Sequence, residues 1–89
     1  MKKYYTVEAK ELGYGGYDFY YFNENEASSK AEALDKFTAV TKYTRKNNGV
    51  EYPYTAYEFK GKTYYSIRYL GCFTEAEIRE NGYPIDYLD

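Results

Sequence analysis

YPYTAYEFKGKTYYSIRYL, residues 52–70, is the stretch on which the fold turns. Residues 52–59 and 62–70 alternate in the two-residue period of half-buried strands, and both are rich in the aromatic and β-branched side chains that sheets favour. Lys60-Gly61 between them predicts a two-residue hairpin turn, with the glycine where a positive φ is needed. Counting outward from that turn gives a register. Ala56 faces Tyr65, Tyr54 faces Ile67 and Tyr52 faces Tyr69 on one side. On the other, Phe59 faces Lys62, Tyr57 faces Tyr64 and Thr55 faces Ser66, with Arg68 two places further on. Side-chain direction alternates strictly, so a slip of one residue would exchange the faces.

Upstream, residues 4–10 alternate in the same way, with Tyr5, Val7 and Ala9 on one face. Gly13, Gly15 and Gly16 punctuate a loop, and residues 17–22 form a second aromatic strand, expected antiparallel to the first. Residues 29–47 read as the main helix. Ser29 with Glu32 has capping-box spacing, and Ala33, Leu34, Phe37, Val40, Thr41 and Thr44 recur at helical intervals. Lys42, Arg45 and Lys46 fall where the helix dipole favours positive charge, and Asn47-Asn48-Gly49 is the stop. Leu34, Phe37 and Val40 are expected to contact Val7 and Ile67. A short second helix is expected after Thr74, capped through Glu77 and stapled by Phe73 and Ile78, with Asn81-Gly82 ending it. The apolar tail 85–88 is expected to pack back on the sheet. The fold class that follows is α+β: an antiparallel sheet with one main helix packed on one face, in the order β-β-α-β-β-α.

Composition narrows what such a domain can do. The chain has 89 residues and reads as one domain spanning 1–89; its core is aromatic, with fifteen Tyr and five Phe against ten Val, Ile and Leu together. Tyrosine suits a thin core, since the ring supplies apolar area while the hydroxyl stays wet or finds a partner. No run approaches the length of a membrane span, and Met1-Lys2-Lys3 is not followed by the apolar stretch of an export signal. A lone cysteine, Cys72, fits a reducing, cytoplasmic setting. Net charge is −2, which gives no bulk bias toward nucleic acid or anionic membrane. The charge is nevertheless uneven. Residues 29–48 carry five basic and two acidic side chains, net +3, and residues 70–89 one basic and five acidic, net −4.

Enzyme chemistry finds little support. Histidine is absent, the carboxylates fall in solvated positions, and Cys72 has no imidazole to activate it. The glycine-rich stretch precedes a strand and lacks the Lys-Ser/Thr of a phosphate loop. No cofactor and no metal is expected. The distinctive feature is the sheet face carrying Tyr57, Phe59, Tyr64 and Arg68, expected to point away from the main helix. Exposed aromatics and arginine mark protein contacts, so the expected function is non-enzymatic binding of a protein partner or of a second copy through that face. The alternative is single-stranded nucleic acid, with bases stacked on the rings and phosphates met by Lys60 and Lys62.

The strand leading into Tyr21-Phe22-Asn23-Glu24, then Ala27-Ser28-Ser29-Lys30-Ala31-Glu32-Ala33 and the Tyr-rich hairpin, resembles the small transposon-encoded proteins of bacterial conjugative elements. The resemblance implies a bacterial mobile-element setting. It brings no activity and no binding residues to transfer.

Overall fold

The computed structural model describes residues 2–13, 15–45 and 48–88. Five strands, β1 (Lys3–Glu11), β2 (Tyr17–Phe22), β3 (Thr38–Arg45), β4 (Glu51–Phe59) and β5 (Lys62–Thr74), form one sheet in the order β2-β1-β5-β4-β3. Every neighbouring pair is antiparallel. Two six-residue helices, α1 (Lys30–Asp35) and α2 (Glu75–Glu80), complete the chain. The α+β class and the antiparallel sheet stand. Among the described residues no helix is long and apolar enough to cross a membrane.

The single long helix does not stand, and the order is β-β-α-β-β-β-α. Ser29 caps α1 as its spacing predicts, its side chain accepting from the Glu32 N–H. Glu32 reaches back to Ser28, taking its N–H at 3.1 Å and its hydroxyl at 2.8 Å. After Lys36 the chain straightens into β3. Thr38, Val40, Thr41, Tyr43 and Thr44 are residues that a pleated surface accommodates better than a helix does. Lys42 and Arg45 therefore lie on a strand, where no helix dipole acts. Lys46 and the Asn47 of the predicted stop lie outside the described residues.

Both sheet faces carry a core. On one, Val7, Ala9, Phe22, Ala27, Ala33, Phe37 and Tyr64 are buried together, with Leu34 and Ile67 packed against them. Val40, expected in this cluster, lies on β3 opposite Ala56 and outside it. On the other face, Tyr4, Tyr21 and Ile78 are buried against Phe73, Tyr83 and Leu88. Thr74 and Glu77 form the predicted capping box of α2, and Phe73 packs against the cluster that contains Ile78. The tail folds back as well: Tyr21 donates its hydroxyl to the Pro84 carbonyl at 2.7 Å.

The hairpin register holds for Tyr57↔Tyr64 and Phe59↔Lys62 and then stops. None of the expected pairs Ala56–Tyr65, Thr55–Ser66, Tyr54–Ile67 and Tyr52–Tyr69 forms. The cause is in β5. Against β1, Lys10 pairs Ser66 while Glu11 pairs Tyr64, so Tyr65 is an extra, bulged residue. A bulge bends its strand and sharpens the local twist. From there β5 runs beside β1, and β4 leaves with β3 as a two-stranded arm, paired from Thr38↔Glu58 to Arg45↔Glu51. The molecule is correspondingly long, 54 × 23 × 19 Å.

Candidate functional site

The bulge at Tyr65 also reverses the expected faces. One extra residue puts Tyr64 on the same side as Ile67, under α1, whereas strict alternation sets them on opposite sides. Tyr64 is fully buried. Phe59 packs into the same cluster, its ring centroid 4.9 Å from that of Phe37 and 5.0 Å from that of Tyr20. Tyr57 is half-buried against it. Three of the four residues expected on an exposed aromatic face are thus brought together on the helix side, Tyr64 and Phe59 within the cluster and Tyr57 at its margin. Arg68 pairs with Glu8 at 3.7 Å on the opposite face and also borders the open recess beside Tyr57. Of the two lysines expected to meet phosphates, Lys60 sits over the Phe59 ring at 5.4 Å and Lys62 pairs with Asp18 at 3.2 Å. These positions assemble no base-stacking platform.

Asp18 itself escaped the sequence reading. It occupies an inward position of β2, and its carboxylate accepts from the Tyr64 hydroxyl at 2.7 Å, from Lys62 Nζ at 3.2 Å and from the Tyr87 hydroxyl at 3.3 Å. Tyr20 and Tyr64 share a hydrogen bond behind it. Burial pushes the Asp18 carboxyl up, but the donated bonds of Tyr64 and Lys62 outweigh it and hold the group below the usual carboxylate range. Burial, reinforced by the bonds to Tyr20 and Asp18, drives the Tyr64 phenol far the other way. A carboxylate fixed in its ionised form and supplied with three donors acts as an anchor for β2, β5 and the tail. An acidic residue inside the aromatic run Tyr17-Asp18-Phe19-Tyr20 was the available signal, since a charge on an apolar strand face demands partners.

Open surface lies at the root of the arm. Where β4 parts from β5, an open groove of ≈ 540 Å³ remains, with Leu34, Tyr57, Ile67 and Tyr69 among its lining and Lys30 and Asp35 at the α1 side. Among the described residues, β5 has no strand on its β4 side from Tyr65 onward. The groove continues onto the arm. Ala39 and Tyr57 form a cross-strand pair at its edge, and on the same face further out come Thr41↔Thr55 and Tyr43↔Pro53. Tyr43 is 63% exposed. Outward of Val40 and Ala56, no described residue of the arm belongs to either apolar cluster. Such a surface combines an exposed ring, a recess partly lined by apolar side chains and the β5 edge described above.

Compared with protein-family models, with curated proteins and with solved structures, the chain matches none of them.

Proposed function

We propose that this chain is a non-enzymatic protein-binding module whose contact surface is the β3–β4 arm together with the groove at its root. The observation that carries the reading is the position of Tyr43, 63% exposed on a two-stranded ribbon that leaves the sheet. Two strands alone are marginal in water. An extended ribbon that presents an aromatic ring beside an apolar groove gains from being covered. Of the residues expected to bind, Tyr57 therefore stays in the proposed set and Tyr43, Pro53 and Ile67 join it, while Phe59, Tyr64 and Arg68 leave it. A photoreactive phenylalanine at position 43, with Glu80 on α2 as the control position, tests this in living cells. Protein adducts at 43 and none at 80 are expected. Nucleic-acid adducts at 43 would transfer the assignment to a nucleic-acid binder, and no adducts at either position would overturn it.

A further inference from the structure

Two Asn-Gly steps occur in the chain, Asn48-Gly49 and Asn81-Gly82. In such a step the backbone nitrogen after asparagine can attack the side-chain carbonyl carbon, because glycine has no Cβ to obstruct the approach. The reaction needs a near-attack geometry, with that nitrogen unengaged and facing the carbonyl. The same residues stand in opposite settings at the two places. At Asn81, the C-cap of α2, each participant is held. The Gly82 N–H donates to the Arg79 carbonyl at 3.1 Å, and Asn81 Nδ2 donates to the Glu77 carbonyl at 2.9 Å. Asn81 is itself helical, φ −75° and ψ −7°, which turns the Gly82 nitrogen out of the plane of the ring that would have to close. Asn48 lies instead in the loop between β3 and β4, where Asn48, Gly49 and Val50 are all exposed. The Val50 N–H donates to Asn48 Oδ1 at 3.1 Å. This side-chain turn folds the carbonyl over the Gly49 peptide. It also sets a donor on the oxygen that becomes negative as the carbon is attacked. Among the described residues the Gly49 N–H donates to no acceptor.

We infer that Asn48 is a site of spontaneous covalent modification, deamidation through a cyclic imide, and that the cap of α2 protects Asn81 from the same reaction. The step balances with water as the one co-reactant. The Gly49 nitrogen bonds to Asn48 Cγ, its proton passes by way of water to Nδ2, the Cγ–Nδ2 bond breaks and ammonia leaves. Water then opens the five-membered imide at either of its carbonyls. One opening gives aspartate. The other gives isoaspartate, in which the main chain runs through the former side chain and the loop joining β3 to β4 gains one backbone carbon. Either product adds one negative charge to the net −2 of the chain, and adds it at the end of the arm. The assignment stands on the two local settings alone, whatever the arm binds.

Incubation of the purified full chain in mildly alkaline buffer, followed by peptide mass mapping with separation of the aspartate and isoaspartate forms, is the test. Product should accumulate at Asn48. At Asn81 it should form roughly 30-fold more slowly, the factor set by two hydrogen bonds that must open first. In urea that unfolds the chain the two rates should converge, because the cap and the turn are then gone. Asn48→Gln, whose longer side chain would have to close a larger ring, should remove the product from that peptide and leave the slow reaction at Asn81 unchanged. Equal rates at the two steps of the folded protein, faster conversion at Asn81, or no conversion at Asn48 would each overturn the assignment. So would a difference that persists in urea, which would trace it to sequence neighbours and not to the fold. A mass change that survives Asn48→Gln in the same peptide would move the reaction to Asn47 and overturn it as well.

Discussion

Lys60 and Gly71 show how much single backbone positions decide. Lys60 (φ 50) and Gly61 (φ 78) form the hairpin turn with both central residues in the left-handed region, the turn that prefers Asn-Gly. Lysine there carries a steric penalty that asparagine largely avoids. Lys60→Asn also loses the Phe59 ring contact, so a net gain of about 0.5 kcal/mol is expected. Urea unfolding measures it, and a loss of stability would show that the ring contact dominates. Gly71 stands beside the second β5 irregularity, where Thr6 pairs Gly71 but Val7 pairs Tyr69. Its φ is +144°, and a Cβ would come within 2.6 Å of the Phe73 ring. Gly71→Ala should therefore cost about 1–3 kcal/mol, and an unchanged unfolding midpoint would mean the strand relaxes freely. The turn at Lys60-Gly61 was legible in the sequence because its residue types state the conformation. The bulge at Tyr65 was not, because nothing local distinguishes Tyr64-Tyr65 from an ordinary alternating pair. That one residue carried Phe59 and Tyr64 from the expected binding face into the aromatic cluster and left Tyr57 half-buried at the groove.

At the scale of elements, residues 30–45 are the instructive case. Helical spacing predicts Ala33, Leu34 and Phe37 as core, and all three are buried or packed there, Ala33 and Leu34 from α1 and Phe37 from the bend after its Lys36 C-cap. Val40, Thr41 and Thr44 continued the same arithmetic, yet they lie on β3. Apolar and small polar residues three or four apart satisfy a helix by coincidence when β-branched content is high, and the edge of β4 was free to capture them. The sequence carried the capping signals of α1 and α2 openly, since a cap is a local hydrogen-bond exchange. It did not carry the arm, which exists because β5 changes partner from β4 to β1. Two substitutions separate these roles. Phe37→Ala, with its ring among Tyr20, Phe22 and Phe59, should cost about 3–5 kcal/mol. Replacing residues 42–54 by Asn-Gly, which joins the paired Thr41 and Thr55 through a tight turn, should change stability by less than about 1 kcal/mol. Unfolding of the shortened protein would place the arm within the cooperative core and undo its reading as a projecting element.

For the whole molecule, a Cα radius of gyration of 15.1 Å exceeds the roughly 12 Å of a compact chain this long. The excess lies in the arm, so stability must come from the two clusters at the other end. Those clusters are held by tyrosines, which ties the global stability to pH. Burial, followed by the neighbouring Tyr83 and Tyr87 phenols, raises the Tyr21 phenol from 10 to about 12; burial raises Tyr20 as well, and Tyr64 further. The folded state therefore keeps phenolic protons that the unfolded chain releases above pH 10. The stabilisation is complete below pH 10 and is lost as pH rises beyond it. At the acid end the sign is opposite. Asp18, held below its usual 3.8 by Tyr64 and Lys62 against the effect of burial, contributes fully above that pH and loses its contribution as pH falls through its folded value. A stability plateau bounded by a tyrosine limb and an aspartate limb follows. Tyr21→Phe should make the melting temperature fall less steeply between pH 10 and 12, because a ring without a hydroxyl has no proton to lose. At neutral pH the same variant should be destabilised by about 1 kcal/mol for the missing bond to the Pro84 carbonyl. Asp18→Asn should flatten the acid limb and leave the alkaline limb in place. If Tyr21→Phe follows wild type in parallel across the alkaline range, ionisation of this phenol does not govern unfolding, and the limb must be assigned to Tyr20 and Tyr64.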